Sequence, residues 1–413
     1  MQLNKQNLFL VIIFFILVSG VLIGLTWTNY HFTFKNPGGN DFLPRWGGAR
    51  FFFTEGLSPY SETTALKIQT LFYGRAAKSN EDQALFVYPL YSLVFFGPFA
   101  LIKDFVMARA LWMTTLEVCI LMMAVLCLRL TRWHPGVVLL SFNFIFALLW
   151  YHSIRAIING NIVAIVALLI PAALLAIRLG QDGLAGVLLA LTMVKPQISI
   201  LLVIFVVWWA LWDHRWRMMG WMAGALICLI LMGMVFIPDW PLQNIREMQR
   251  YTGYSPPTTV GAAFALWWPS VGRHLGWVLS ILLSVIVVVE WWLAHRKDYR
   301  WFLWTACLTL VASQWIGITT DPGNFLILFL PLILVYAVWE EQWRDRRRWV
   351  IWVTMIVLFV GLWVLFLNTL EYTTQPMQSP VMFFPLPIFL FIALFWVRKW
   401  AIQPSQLHNT VTK

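Results

Sequence analysis

Long apolar runs, parted by short polar breaks, set the pattern of this sequence. Thirteen runs stand out: residues 8–27, 86–102, 105–130, 137–153, 161–178, 183–194, 197–212, 217–237, 275–294, 301–317, 323–339, 349–369 and 380–397. Most approach the ~20 residues that a helix needs to cross the hydrocarbon core of a bilayer. The run 183–194 is short alone, and 86–102 contains Pro89 and Pro98. The pattern predicts an all-α, polytopic membrane helical bundle of about 12–13 transmembrane helices.

Two segments depart from it. Residues 28–85 mix charges (Asp41, Arg45, Arg50, Glu55, Glu62, Lys67) with aromatics (Trp46, Phe51, Phe52, Phe53). Such a mix suits one or two amphipathic helices lying at the membrane surface. Within it, 63–73 reads as a short helix with Leu66, Leu71 and Phe72 as apolar positions. The second segment, 238–273, holds Asp239, Arg246, Glu247, Arg250, Tyr251, Tyr254, Pro256, Pro257 and Arg273. The expected organisation is one integral membrane domain over 1–413, with 28–85 and 238–273 as its first and second extracytoplasmic loops. No internal repeat is visible, so the inverted-repeat design of many secondary transporters has no support.

Charge orients the bundle. The first apolar run follows Lys5, exceeds the roughly 7–15 residues of a signal-peptide core and lacks a cleavage site, so it reads as an uncleaved helix. Lysine and arginine mark the cytoplasmic side of a membrane protein. Lys5, the cluster Arg344, Arg346, Arg347 and Arg348, and the pair Arg398 and Lys399 therefore all belong inside. Thirteen crossings cannot place both termini on one side. Either 86–102 does not cross, or 183–212 forms one helix kinked at Pro196. The charge rule favours the first option and the shortness of 183–194 the second.

Composition agrees with the membrane reading. Of 413 residues, 60% are hydrophobic and 11% charged, against about 45–50% and about 25% in soluble domains. The net charge of +11 comes from short clusters between apolar runs, which is no nucleic-acid footprint. Cys119, Cys127, Cys228 and Cys307 all sit in apolar runs without a CxxC pair, as buried free thiols do. His31, His152 and His274 show no metal-binding spacing.

The chemistry concentrates after the first helix, in Gly39-Asn40-Asp41-Phe42-Leu43-Pro44-Arg45-Trp46-Gly47-Gly48-Ala49-Arg50. A carboxylate suits general-base activation of a hydroxyl. Arginines four and nine residues on suit bidentate grip of a phosphate. The plainer reading makes Asp41 an N-cap of an interfacial helix. Lys195 lies between apolar runs beside Pro196, and an ionisable residue there is a candidate phosphate ligand. Snorkelling to the interface is its plainer role. Arg50 and Arg155 are alternatives for the same phosphate, and Arg45 belongs to the same set. Glu117 and Glu290 also fall in apolar runs; Glu290 is expected to reach the interface and Glu117 to lie deeper, neutral or paired with an arginine. Most of the 26 tryptophans read as interfacial belt anchors, while Trp46 and Trp267 are candidates for stacking on sugar.

Several segments, in order, carry a resemblance. They are Asp41-Phe42, Trp46, Ala49-Arg50 and Gly56-Leu57-Ser58-Pro59-Tyr60; Tyr88-Pro89-Leu90 with Pro98; Asn159-Gly160-Asn161; Ala185-Gly186 followed by Val194-Lys195-Pro196-Gln197; and Arg215-Trp216-Arg217. Together they resemble the polyprenyl-phosphate-sugar-dependent glycosyltransferases of the GT-C superfamily, and most of all glycosyltransferase family 87. The likeness is good over 1–220 and rests on hydropathy beyond. Two features depart from the family pattern. The Asn159–Gly160–Asn161 turn lacks a glutamine. The late segments Ser313-Gln314-Trp315 and Thr320-Asp321-Pro322-Gly323-Asn324 lack the family's Ser-Pro with His or Tyr.

The resemblance implies transfer of a sugar, mannose or arabinofuranose, from a polyprenyl-phosphate donor to a lipid or glycan acceptor with inversion. It makes Asp41 the general base; by their charge and position Lys195, with Arg50, Arg155 and Arg45 as alternatives, is the candidate donor-phosphate ligand. Trp46, Tyr60, Tyr88, Asn159, Asn161, Gln197, Asp321 and Asn324 become substrate-binding residues, with Asp321 a second acid. It implies a plasma-membrane protein with an extracytoplasmic active site, in contact with membrane lipids and not with nucleic acid. No cofactor is expected. Asp41 has no acidic neighbours at ligand spacing, which leans towards metal independence without excluding a divalent ion. A transporter or flippase for a lipid-linked saccharide is the competing reading, and a structural subunit of an envelope assembly a third.

Overall fold

The computed structural model describes residues 5–79, 81–254, 259–317, 320–343, 348–372 and 376–403. Arg344, Arg346, Arg347, Pro256 and Pro257, singled out above, lie outside them. In chain order the helices are α1 (Lys5–Lys35), α2 (Phe42–Glu55), α3 (Glu62–Tyr73), α4 (Leu93–Ala100), α5 (Phe105–Thr131), α6 (Val137–Leu149), α7 (Tyr151–Asn159), α8 (Val163–Arg178) and α9 (Asp182–Thr192). There follow α10 (Pro196–Trp212), α11 (Trp216–Phe236), α12 (Trp240–Tyr254), α13 (Val260–Trp267), α14 (Gly272–Ala294), α15 (Tyr299–Ser313), α16 (Phe329–Trp343), α17 (Arg348–Thr369) and α18 (Pro385–Ile402). Three 3₁₀ segments, Leu90–Ser92, Pro322–Leu328 and Pro380–Phe383, lead into α4, α16 and α18. The β structure among the described residues is one antiparallel ladder of Glu371–Tyr372 with Pro376–Met377.

Every apolar run forms helix, yet the helices differ in reach. Among the described residues seven are long and apolar enough to span a membrane, or eight if α6 and α7, bent by 43°, form one span. This is a multi-pass, all-α membrane protein. The other runs give helices of 8–17 residues. At 1.5 Å per residue, Leu90–Ala100 extends only about 16 Å, half of the ~30 Å hydrocarbon core. The run 86–102 is thus too short to cross by itself, as the first of the two topologies requires. The stretch 183–212 is two helices, α9 and α10. Lys195 between them leaves the helical conformation (φ −133°, ψ 72°), as a residue before proline is pushed to do.

The polar stretch after α1 is helical too. The helix expected over 63–73 is α3. Ser61 starts it by accepting a hydrogen bond from the Thr64 amide at 3.2 Å, and Gly74 ends it at φ 71°, both by the usual rules of capping.

The chain clusters into two compact units, Met1–Val118 with Ile157–Asn161 and Pro241–Tyr251, and the remainder. In the first unit α2 packs on α3 and α4. Its core is aromatic: the Phe42 ring stacks on Trp112 at 5.3 Å and borders Phe96, Phe99 and Phe105. α1 is tied to α5 by Thr26, Asn29, Thr114 and Glu117, with Asn29 Nδ2 donating to Glu117 at 3.0 Å. Polar links of this kind hold helices together where lipid removes the hydrophobic drive.

In the second unit α15 and α16 are enclosed, with α18 packed on both. Glu290, near the end of α14, is buried and pairs with Arg398 at 2.8 Å. Trp301 and Trp304 present their faces to that guanidinium. A charge in this position persists only when paired. α13 and α14 cross through glycine. A Cβ on Gly276 would lie 2.2 Å from the Gly261 Cα.

Gly276→Ala should therefore lower stability by about 1–3 kcal/mol, the usual cost of overpacking, because the obstacle is backbone. Gly24→Ala has open space around it and should not lower it. Thermal unfolding in detergent, followed by tryptophan fluorescence, checks both. Equal midpoints would contradict the close α13–α14 crossing.

Candidate active site

A helix leaves its last carbonyls without intrahelical donors. At the end of α7 three consecutive carbonyls find donors elsewhere in the first unit. Arg109 Nη2 donates to Ile158 O at 3.1 Å. The Asp41 amide donates to Asn159 O at 3.0 Å. Trp112 Nε1 donates to Gly160 O at 2.8 Å. Gly160 adopts φ 70°, and a Cβ there would sit 2.5 Å from the Cβ of Phe42. Glycine is required on both counts.

This turn presents Asn161 to Asp41. Asn161 Nδ2 donates to Asp41 Oδ2 at 3.0 Å. Asp41 does stand at the N-cap position of α2, but its backbone is helical (φ −81°, ψ −32°) and its side chain makes no cap bond. The carboxylate is held from the side by Asn161, and its second oxygen has no hydrogen-bond partner among the described residues. Arg109 clamps the approach to Asp41 as well, through a 2.8 Å bond to Asn36 O. A Cβ on Gly39 would come within 2.9 Å of its Nε.

One turn into α2, Arg45 is 8% exposed. Its guanidinium lies over the Tyr88 ring at 4.7 Å and makes no hydrogen bond among the described residues. Burial works to lower its pKa, but the fields of Tyr88, Asp41, Tyr251 and Asp82 outweigh it and hold the group above its ordinary value. A buried guanidinium with unused donors is costly unless something pairs with it. Tyr88 is fixed from behind. Its carbonyl accepts from Tyr60 Oη at 2.7 Å and from Asn244 Nδ2 at 3.0 Å. Burial pushes the Tyr60 phenol well above its usual range, so it remains a donor.

The other expected residues of this unit serve the framework. Trp46 is buried, with its indole N–H on Phe99 O at 3.1 Å. Arg50 donates to Ala100 O at 3.0 Å and lies over Trp46. Asn159 contributes through its carbonyl.

A second polar group lies in the second unit. Lys195 is buried and donates to Asn324 Oδ1 at 2.6 Å. Asn324 in turn reaches Thr320 at 3.3 Å. Asp321 caps the 3₁₀ segment, accepting from the Gly323 amide at 2.6 Å, and faces Arg155 Nε at 3.5 Å. A Cβ on Gly323 would crowd both Asp321 and Arg155. Gln197 sits in the first turn of α10, after Pro196. Lys195 thus joins Asn324, and Arg155 joins Asp321. Among the described residues no three His, Cys, Asp or Glu side chains converge; a Mg²⁺ held by one carboxylate and substrate phosphate needs no such cluster.

Arg109, Trp112 and Asn244 carry much of this geometry and were not singled out from the sequence. Arg109 had a readable signal, an arginine inside an apolar run. Trp112 and Asn244 had none, being one tryptophan among 26 and one polar residue of a polar helix.

These features define a multi-pass membrane protein with a fixed carboxylate beside a buried cation. The model of glycosyltransferase family 87 matches residues 86–316, more than half of the chain, and the protein belongs to that family, which is of the GT-C type. The match takes in Tyr88, the Asn159–Asn161 turn and Lys195, and it starts after Asp41. No curated protein and no solved structure matches the chain.

Gly160→Ala should cost about 1–3 kcal/mol, for the positive φ and for the contact with Phe42. It should also speed amide exchange at Asp41, which bonds to this turn. Thermal unfolding and hydrogen–deuterium exchange measure the two effects; unchanged exchange at Asp41 would detach the turn from the carboxylate.

Proposed function

We propose that this glycosyltransferase draws its sugar from a polyprenyl-phosphate donor and passes it, with inversion, to a hydroxyl of a lipid or glycan acceptor. Asp41 is the general base. The acceptor O–H proton goes to the Asp41 carboxylate. The oxygen attacks the anomeric carbon from the face opposite the phosphate. The bond from that carbon to the phosphate oxygen breaks, and polyprenyl phosphate leaves with the electron pair. Cations on the leaving phosphate stabilise the charge that develops there.

One observation carries the reading. The Asp41 carboxylate takes a single lateral bond from Asn161 instead of capping its helix, next to a buried arginine whose donors are unused. A base and an anion ligand are what the reaction asks for. Arg45 is the phosphate ligand put first, because Arg50 is committed to the Ala100 carbonyl. Lys195, bonded to Asn324, and Arg155, facing Asp321, are the alternatives. Mannose and arabinofuranose are the sugars to try first. The protein is placed in the plasma membrane with this site on the extracytoplasmic side.

The test is sugar transfer by purified protein in detergent. Radiolabelled polyprenyl-phosphate mannose and arabinofuranose are supplied in parallel, with a membrane lipid extract as acceptor. Asp41→Asn should lower transfer by about 10²–10⁴, the usual contribution of a general base, while donor binding persists. Arg45→Gln should weaken donor binding itself. Equal transfer by Asp41→Asn and the parent would remove Asp41 as base and point to Asp321. Saturable donor binding with no transfer by the parent would favour carriage of a lipid-linked saccharide.

A further inference from the structure

α9 and α11 meet through glycine. A Cβ on Gly186 would lie 2.4 Å from Met218 O and 2.7 Å from Met222 N. Gly183 lies under the Trp221 indole. Two other glycines of α11, Gly220 and Gly224, have nothing within 4 Å of a built Cβ. They are not used in packing. They floor an open groove of about 500 Å³, walled by Val187 and Trp221 and running to Cys228. From Arg217 to Cys228 it follows one face of α11 for roughly 16 Å. Only 6% of the spanning window of α11 is buried, so the groove opens on the surface that faces lipid.

Arg217 stands at one end and is shared with a second hollow of about 330 Å³, lined also by Gly180, Gln181, Asp182, Gly183 and Leu184. The two hollows differ in kind. One is apolar and long; the other is smaller and mixed, with the polar groups of Gln181 and Asp182 beside Leu184, and a cation sits where they join. Asp182 is the one carboxylate of the smaller hollow, and Arg215 neutralises it at 2.9 Å. Arg215 also pairs with Asp213 at 3.0 Å, and Arg178 donates to Leu130 O at 2.9 Å. Arg217 makes no hydrogen bond or ion pair among the described residues, and neither does the exposed Trp221 indole N–H.

We propose that this paired cleft binds an anionic glycerophospholipid of the bilayer. One acyl chain lies along Gly220, Gly224 and Cys228, and the phosphate is held by Arg217 and the Trp221 N–H. The smaller hollow takes the rest of the headgroup. An arginine fork matches a phosphate diester, and basic pockets beside membrane helices select anionic headgroups. A packed helix would cover the glycines but leave Arg217 and the smaller hollow unmatched. The inference does not depend on the donor or on Asp41.

The full-length protein in detergent is titrated with phosphatidylglycerol or phosphatidylcholine and bound lipid is counted by native mass spectrometry. The parent should retain phosphatidylglycerol over phosphatidylcholine. Arg217→Gln should weaken phosphatidylglycerol retention about fivefold, the effect of one basic residue at an anionic lipid surface. Gly224→Leu should abolish it by filling the groove, without loss of thermal stability, since its Cβ meets nothing. Equal retention of the two lipids, or unchanged retention in both variants, would overturn the proposal. So would displacement of the bound lipid by short-chain polyprenyl phosphate at equimolar ratio, which would make the cleft a donor site. A Gly224→Leu variant that goes from dimer to monomer with lipid retention unchanged would make it a helix–helix contact instead.

Discussion

The three carbonyls that end α7 are the constraint around which the carboxylate site is built. A terminal helix carbonyl shut away from water must find a donor, because leaving it unpaired costs about 1–3 kcal/mol. Here the donors are Arg109, the Asp41 amide and Trp112. Each ties a different piece of chain to the same turn. The Asp41 amide fixes the backbone of the loop, Arg109 fixes its approach from α1, and Trp112 brings the aromatic core under Phe42. The place of the Asp41 carboxylate follows from these bonds rather than from its own side chain.

That arrangement explains why the acid does not cap α2. Capping would direct the carboxylate at its own helix amides and use up its acceptor capacity. Holding it through one amide donor, Asn161, orients it while leaving an oxygen uncommitted. Arg45 is arranged on the same principle. Its position is set by stacking on Tyr88, which takes none of its N–H groups, and Tyr88 is set by Tyr60 and Asn244 acting on its carbonyl. In both cases the chemical group is positioned through a neighbour, so its own hydrogen-bonding capacity remains for a ligand.

How much of this was legible in the sequence depends on the length scale of the signal. Hydropathy marked all thirteen helical runs, because apolar periodicity over ~20 residues is a strong signal. Among the described residues seven or eight of these are long enough to span singly, since hydropathy alone does not show where proline and glycine stop a helix. Pro196 breaks 183–212 and the proline-bearing run 86–102 yields only Leu90–Ala100, and both shorten helices that composition treats as spans. In the candidate site, Asp41 and the Asn159–Asn161 turn stood out as polar residues in ordered motifs. Their meeting did not, because 120 residues separate Asp41 from Asn161 and nothing local encodes the pairing. Arg45 looked like any basic residue of a surface loop; its burial and unused donors exist only after α2 packs.

Glycine shows the same limit from the other side. Gly160, Gly186 and Gly276 are each required by a close approach, whereas Gly24, Gly220 and Gly224 meet nothing. In the sequence all six look alike, as small residues within or beside apolar helices. The fold distinguishes them by what lies opposite. Where backbone lies opposite, the glycine is part of the packing. Where only open space lies opposite, as along α11, the missing side chain leaves a groove. In a membrane such a groove is in contact with lipid, and a cation at its end decides which lipid fits it best.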